Sequence, residues 1–425
     1  MKSFWYILYN FLVLPFLQLF VKFAALFNSK LKKGLDDRKR LFENLILNCA
    51  DLNRKKKLIW FHSASMGEFE QAKPIIKKLK EERNVNVLVT FFSPSGYRNS
   101  LKYPDADIIS YLPIDTPINV SRFTKIVKPS LVILMRYDIW PNLIWYLHRV
   151  KIPTMIVDAT MRKSSKRKWF IAKGFHKTVY RCFTKILTVS QDDSDSFSEF
   201  AIVSDKLKPV GDTRFDRVHQ KSLNAKDKKL FADGFLDGKK VFVCGSSWEN
   251  DEDVILPAFL KLMKYDKDAV LILVPHEPTV LHLEKLEHTL TGKEKSIRFS
   301  YLNNYSGERI IIIDSIGILL TLYTYAHIAY VGGSFKQGIH NVLEPAVYGI
   351  PVLFGPKIEN SQEAQNLANG RGGFIVRNKK EAYRRLRKLL SDEELRQNYG
   401  KLAYEYVFNN IGATRSILDE IYKVI

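Results

Sequence analysis

The sequence predicts an α/β protein with two parallel-sheet domains and an apolar amino-terminal appendage. Two separate series of apolar, strand-length runs alternate with polar or helical segments. Each series contains a strand that opens through small residues into a helix start. The length agrees, because 425 residues exceed one ordinary core of about 100–200 residues. A hydrophobic content of 46% excludes disorder as a description of the whole.

The appendage comes first. Residues 4–21 carry no charge, are rich in Phe, Leu, Trp and Tyr, and approach the ~20 residues needed to cross a bilayer. Asn10, Pro15 and Gln18 weaken a span and Lys22 would have to snorkel, so a crossing helix and a helix lying in the interface both remain open. A cleaved signal peptide is the third reading. Against it, only Lys2 precedes the run, whereas Lys30, Lys32, Lys33, Arg38, Lys39 and Arg40 follow it and hold the downstream side in the cytoplasm. Residues 1–28 are therefore expected to be a membrane anchor.

Residues 57–62 read as a buried strand, Ser63 to Glu68 as a small-residue turn, and Ala72, Ile75, Ile76 and Leu79 fall at helical spacing. Pro74 either opens this helix or kinks it. Further strands are expected at residues 85–91, 131–135, 154–157 and 186–189. Ligands of such sheets bind beyond the carboxyl ends of the strands, where Glu68 sits. A polar stretch over residues 216–238 reads as a hinge between a first domain, 29–215, and a second, 239–425, whose last helix is a candidate to return to the first. Strands of the second domain are expected at 241–245, 269–274, 310–313, 327–331 and 351–354.

After residues 327–331, Val331-Gly332-Gly333-Ser334 leads through Gly338-Ile339-His340-Asn341 into a helix start. Backbone N–H groups converging there would seat a phosphate, with Glu344 one turn into the helix accepting hydrogen bonds from the sugar of a nucleotide. The alternative is a turn that only packs a strand on a helix. A Walker A loop is excluded, since no Lys and Ser/Thr follow Gly338.

The formal net charge of +21 extends the membrane argument. Clusters at Arg54 to Lys57 and at Arg162, Lys163, Lys166, Arg167 and Lys168 would each gain about 1 kcal/mol per residue against an anionic leaflet. A solvated basic face and a nucleic-acid surface are the alternatives. With an apolar anchor and no nucleic-acid module, a phosphorylated lipid is the expected partner and nucleic acid is not. Cys49, Cys182 and Cys244 have no metal or redox spacing, and the nine His contain no helical two-His pair, so no metal site is expected. Gln191-Asp192-Asp193-Ser194-Asp195 reads as the acidic start of a helix.

Five motifs in order carry a resemblance: His62-Ser63-Ala64-Ser65-Met66-Gly67-Glu68, Tyr111-Leu112-Pro113-Ile114-Asp115, Ile139-Trp140-Pro141-Asn142, Gly211-Asp212-Thr213-Arg214-Phe215-Asp216, and Gly332 to Ala346. Together they resemble the 3-deoxy-D-manno-octulosonic acid (Kdo) transferase family over nearly the whole chain. The resemblance implies a GT-B glycosyltransferase: two Rossmann-like domains facing a cleft, with an N-terminal membrane-anchor helix. It implies inverting transfer of Kdo from CMP-Kdo to a lipid A precursor in lipopolysaccharide biosynthesis. The catalytic domains would lie on the cytoplasmic side of a bacterial inner membrane, with no cofactor and no metal in the transfer.

By that resemblance Glu68 is the general base, Arg214 steadies transition-state charge, and Asp138 keeps the one carboxylate of an acidic pair. CMP-Kdo would be held by Ser246, His276, Glu277, Ile316, Gly317, Ile318, Asn341, Val342, Leu343 and Glu344. Each has a plainer reading: a first-turn carboxylate for Glu68, a hinge ion pair for Arg214, a loop histidine for His276, a helix start for Gly317. The chain departs from the family where Arg136-Tyr137-Asp138 replaces two acidic residues flanking a Thr, and where Gly338-Ile339 replaces a glycine pair. Rival readings are another GT-B sugar-nucleotide transferase or epimerase, and a non-catalytic membrane adaptor.

Overall fold

In the computed structural model, which describes residues 2–425 apart from the side chains of Lys2 and Lys30, fourteen parallel strands form two sheets. Met1 and the Lys2 and Lys30 charges of the expected anchor flanks lie outside the described residues. The first sheet holds β1 (Leu58–Ser63), β2 (Asn86–Phe91), β3 (Ile108–Tyr111), β4 (Leu131–Met135), β5 (Thr154–Ala159), β6 (Lys185–Thr188) and β7 (Leu207–Pro209), in the order β3-β2-β1-β4-β5-β6-β7. The second holds β8 (Lys240–Ser247), β9 (Ala269–Pro275), β10 (Ser296–Arg298), β11 (Ile310–Ile312), β12 (Ile328–Val331), β13 (Val352–Phe354) and β14 (Gly373–Ile375), in the order β10-β11-β9-β8-β12-β13-β14. Each sheet reverses direction at its centre, between β1 and β4 and between β8 and β12. Crevices at such reversals are where doubly wound sheets bind ligands.

The chain divides into unit 1, Met1–Arg217 with Gly412–Ile425, and unit 2, Val218–Ile411. The helix Thr213–Lys226 runs through the first dividing point, and the helix Ala413–Tyr422 buries Ile417, Leu418 and Ile421 in the core of unit 1.

Both faces of each sheet are covered, which is why the strands read as unbroken apolar runs. Side chains along β1 alternate between two cores: Trp60 packs 4.9 Å from the Phe123 ring, whereas Ile59 and Phe61 join Phe69 and Ile75 on the other face. In unit 2, Phe242 and Cys244 of β8 belong with Phe259 and Leu386, while Val241 and Val243 belong with Phe231 and Tyr323. Cys49, Cys182 and Cys244 are buried and form no disulfide among the described residues, and the Cys182 thiol donates to the Thr178 carbonyl at 3.2 Å. Pro74 lies within the helix Met66–Glu82 and leaves the Glu70 carbonyl without its usual N–H, yet the helix continues because Ala72, Ile75, Ile76 and Leu79 are fully buried.

The appendage is helical over Lys2–Leu8, widens to a π turn at Tyr9–Val13, and continues over Leu14–Phe27. Ser3–Phe27 is long and apolar enough to cross a membrane. Tyr9 and Leu14 nevertheless enter the core of unit 1 beside Leu45 and Trp145. The Tyr9 hydroxyl donates to Asp115 Oδ2 at 3.0 Å, and Asn10 exchanges side-chain hydrogen bonds with Asn142 at 3.0 and 2.8 Å. Asn10, a weak point for a span by composition, is thus a docking residue. Asp115 also accepts the backbone N–H groups of Asn142 and Leu143 at 3.0 and 2.9 Å. Burial lifts its carboxyl to about 7 against the pull of those donors.

Asp115→Ala would leave a buried hydroxyl and two buried N–H groups without their acceptor. It is expected to cost roughly 2–4 kcal/mol in denaturant unfolding of the detergent-solubilised chain. Asp115→Asn, which keeps one acceptor oxygen, is expected to cost less.

Candidate active site

In unit 1 the crevice between β1 and β4 gathers the chemistry. The turn after β1 brings Glu68 to the third position of the helix Met66–Glu82, where its Oε2 accepts the Ala64 N–H at 2.6 Å. The plainer reading of Glu68 as a first-turn carboxylate is therefore true of one of its oxygens. Burial raises the Glu68 pKa, the Ala64 hydrogen bond opposes that, and the neighbouring Asp138 charge raises it further. His62 and Arg136 pull it down.

His62, wholly buried at the end of β1, joins Thr90 Oγ1 at 2.9 Å through Nδ1 and Asp138 Oδ2 at 2.8 Å through Nε2. Trp60 Nε1 already donates to Thr90 Oγ1 at 2.8 Å, so the Thr90 hydroxyl proton is free to point at Nδ1. The Nε2 proton then points at Asp138. Trp140 Nε1 donates to the same Asp138 oxygen at 3.2 Å. Burial pushes the Asp138 carboxyl up, but the His62 and Trp140 hydrogen bonds and the Arg167 charge hold it below its ordinary value. Arg136, at φ 62°, has its Nε buried with no hydrogen-bond partner among the described residues, as does Ser63 Oγ. Buried donors in that condition mark space for a polar ligand.

Arg214 is forked onto Asp212, Nε at 3.0 and 2.9 Å and Nη2 at 2.5 Å. The next residue back, Thr213, donates through Oγ1 and N to buried Asp158. Burial, and then the Asp212 charge, raise Asp158 to about 7, while Arg136 lowers it. The Arg136 charge thus acts on both Glu68 and Asp158. The ion-pair reading of Arg214 holds as geometry, and its charge is already shared with a carboxylate.

In unit 2 the corresponding crevice lies between β8 and β12. Gly332 is obligatory there, because a Cβ would stand 2.1 Å from Ser246 O. Ser246 itself takes φ 51°. The expected phosphate turn needs correction: Gly332 N donates to Gly245 O at 2.9 Å, Gly333 N to Asp251 Oδ2 at 2.9 Å, Gly338 N to Gly333 O at 2.8 Å and His340 N to Gly332 O at 3.1 Å. These N–H groups hold the turn together rather than converging on an open point. The glycines serve the approach of one loop to another. The helix that follows, Leu343–Ala346, has four residues, so Glu344 sits in its first turn instead of one turn in, and its dipole is small.

Glu344 Oε1 accepts from Asn341 Nδ2 at 3.1 Å, and Asn341 Oδ1 accepts the Leu343 N–H at 3.2 Å. The Val342 and Leu343 side chains are buried, which restricts them to backbone contact with a ligand. Gly317, at φ 87°, has open space where a Cβ would stand; Ile316 is exposed beside it and Ile318 precedes the helix Leu319–Leu322. His276 and Glu277, after β9, are exposed. The His276 ring stacks on His340 at 4.2 Å and 20°, and Trp248 lies 4.8 Å from His276. Trp248 Nε1 donates to His340 Nε2 at 3.0 Å. A cavity of about 710 Å³ opens beside this stack, lined by Trp248, Glu277, Thr279, Lys285 and Lys336. That volume suits a nucleotide-sized ligand.

Within unit 1 the structure therefore brings Glu68 and Asp138 together, with Arg214 reached through Asp212 and Asp158. Within unit 2 it places Ser246, His276 and Asn341 to Glu344 around one sheet reversal. Sequence reasoning passed over His62 and Arg136 as site residues, and over Trp248 and His340 as the partners of His276. His62 hid inside an apolar strand, and its one signal was its place at the head of the His62 to Glu68 run.

Comparison with known proteins agrees with this layout. Residues 38–217 match a family described as 3-Deoxy-D-manno-octulosonic-acid transferase (kdotransferase). The chain is 32% identical over 347 residues to the 3-deoxy-D-manno-octulosonic acid transferase of Aquifex aeolicus, covering 80% of this chain and 88% of that one. In fold it is similar to UDP-GlcNAc 2-epimerase from Neisseria meningitidis, at TM-score 0.62 and 16% identity over 87% of this chain and all of that one. It is similar also to a glycosyltransferase from Rickettsia africae, at TM-score 0.55 and 14% identity over 87% of this chain and 98% of that one.

Burial, and then the facing His276, lower the His340 pKa from 6.5 to about 4. The unfolded chain then binds the extra proton more readily, so this contribution to stability is whole above pH ~6.5 and falls as pH drops toward ~4. NMR titration is expected to show a His340 midpoint near the lower value. His340→Gln is expected to flatten the acid side of the stability profile.

Proposed function

Because this chain belongs to the 3-deoxy-D-manno-octulosonic acid transferase family, we propose that it moves Kdo from CMP-Kdo onto a hydroxyl of a lipid A precursor, with inversion at the anomeric carbon. That it is a glycosyltransferase of the GT-B class follows from the family and the two doubly wound sheets. Donor, acceptor and stereochemistry are our reading. The observation that carries it is the buried His62–Asp138 pair beside Glu68.

In this reading Glu68 takes the proton of the acceptor hydroxyl as its oxygen attacks the anomeric carbon. The bond from that carbon to the CMP phosphate oxygen breaks, and CMP leaves with the electron pair. A single displacement inverts the centre. Asp138, kept ionised by His62 and Trp140, holds the Glu68 pKa up through its charge and so makes Glu68 a better proton acceptor. Arg136 brings positive charge to the same crevice, suited to the anionic sugar acid or to a phosphate of the acceptor. In unit 2 the Trp248–His276–His340 stack and the Asn341–Glu344 pair would receive the nucleotide. The apolar helix would hold the protein on the cytoplasmic face of a bacterial inner membrane, where a lipid acceptor lies.

Product mass from purified enzyme, CMP-Kdo and a lipid A precursor tests the assignment directly. Glu68→Gln keeps an oxygen for the Ala64 N–H but removes the base. Turnover is expected to fall about 10²- to 10⁴-fold with CMP binding and melting temperature near wild type. Since the base works deprotonated and its pKa is raised, activity is expected to be lost on the acid side at a pH above the usual carboxylate range. Near-normal turnover in a folded variant would remove Glu68 from the reaction.

Glu344→Ala would take away a charged acceptor and release Asn341. Calorimetric titration is expected to show CMP binding weaker by roughly 1.5–3 kcal/mol, with acceptor affinity little changed. Unchanged CMP affinity would give Glu344 a structural role only.

A further inference from the structure

Outside the two crevices, the most unusual surface of the molecule lies at the start of the helix Phe170–Tyr180 in unit 1. Trp169, Phe170 and Ile171 are consecutive and 64%, 94% and 72% exposed. Three large apolar side chains in a row, so open to solvent, are rare on a soluble face. None of the chemistry assigned above uses them.

Two features say what covers them. The first is continuity with the apolar helix: Trp5 packs edge-on to Phe175 at 5.8 Å, and its ring lies 3.1 Å from where a Cβ on Gly174 would stand. Ile171 is one turn before Gly174 and Phe175 on the same helix face, so it adjoins the first turn of Lys2–Leu8, where Phe4 is also exposed. Along that helix Tyr9 and Leu14 face the core, while Phe11, Phe16, Phe20 and Phe23 face outward. The second feature is charge. Arg162, Lys163 and Lys166 are exposed just upstream, and Lys166 Nζ stands 5.7 Å from the Trp169 ring. An apolar tip with an aromatic at its base and cations behind it has the composition of an interfacial insertion element.

We propose that Trp169, Phe170 and Ile171 form a second membrane-insertion element beside the outer face of the amino-terminal helix, with Arg162, Lys163 and Lys166 taking anionic headgroups. Both elements then enter one leaflet and the helix lies along the surface, since its inner face is committed to Asp115, Asn142 and the unit 1 core. The inference rests on the membrane assignment made above and is independent of donor and acceptor identity.

The test uses the full chain and vesicles of phosphatidylethanolamine and phosphatidylglycerol. Trp169→Ser/Phe170→Ser/Ile171→Ser removes the tip, and Ser at position 169 is a favourable helix cap, so the fold should persist. A parallel variant, Phe16→Ser/Phe20→Ser/Phe23→Ser, alters the helix face. Each is expected to partition about tenfold or more weakly than wild type in cosedimentation, with melting temperature and CMP binding unchanged. A fluorophore on Phe170→Cys is expected to shift to shorter wavelength with vesicles and to be quenched by lipids brominated near the headgroup end of the chain.

Wild-type partitioning of the tip variant, or a position-170 fluorophore that stays water-like while the protein binds, would overturn the proposal and leave the helix as sole anchor. A fluorophore shift that follows protein concentration without lipid would overturn it in favour of a contact between copies. Absence of vesicle binding by the wild type would overturn the membrane assignment itself.

Discussion

Two carboxylates stand beside one buried imidazole in unit 1, and the proposed chemistry depends on what that imidazole does to them. Glu68 and Asp138 repel, so both cannot be ionised at ordinary cost in a crevice with little water. His62 breaks the symmetry by joining Asp138 alone, at 2.8 Å, with Trp140 adding a donor to the same oxygen. Asp138 is thereby held as an anion, while burial first, and then the Asp138 charge, raise the Glu68 pKa, so the pKa values of the two acids are pushed apart. The arrangement depends on the β1–β2 register, because Thr90 stands opposite His62 and holds its other nitrogen.

Unit 2 has a different strand order, with β11 rather than β10 next to β9, and its crevice gathers a ring stack instead of carboxylates. Two histidines face each other at 4.2 Å in its crevice, an arrangement that would be repulsive if both were charged. Burial, and then His276, lower the His340 pKa to about 4 and Trp248 Nε1 donates to its Nε2, so His340 enters the stack as a neutral ring. The cavity beside it carries Lys285 and Lys336 among Glu249, Glu277 and Glu284, with Lys285 paired to Glu249 at 2.8 Å.

The central strands were legible in the sequence because parallel strands buried on both faces appear as continuous apolar runs, as in Val87 to Phe91 or Leu131 to Met135. Four short strands were not. β3, β7, β10 and β14 have three or four residues each and lie in the outer part of their sheets, where partial exposure admits Lys208, Ser296 and Arg298 and erases the pattern. Glu68, Asp138 and Arg214 were found through their motifs, not through periodicity. The Gly332 turn misled because glycine permits two things that look alike in sequence, approach to a ligand and approach to another loop; only the donors of Gly332, Gly333 and Gly338 distinguish them. His62 was missed because burial, which makes it useful, also makes it look like core.

The apolar helix and the candidate site share one short segment of chain. The loop after β4 carries Asp138 and Trp140 and then enters the helix Pro141–Arg149, whose first N–H groups, from Asn142 and Leu143, are held by Asp115. The same carboxylate receives the Tyr9 hydroxyl from the amino-terminal helix, and Asn142 is tied back to Asn10. Asn142, where the apolar helix is fastened, therefore lies four positions after the catalytic candidate Asp138. A helix pulled away from unit 1 into the bilayer would strand the buried Asp115 with one donor fewer and loosen the start of Pro141–Arg149, and with it the loop that positions Asp138 against His62. Under the proposed attachment, docking on the surface preserves all of these bonds, so the hydrogen bonds around Asp115 favour a chain that rests on the leaflet through its outer apolar faces.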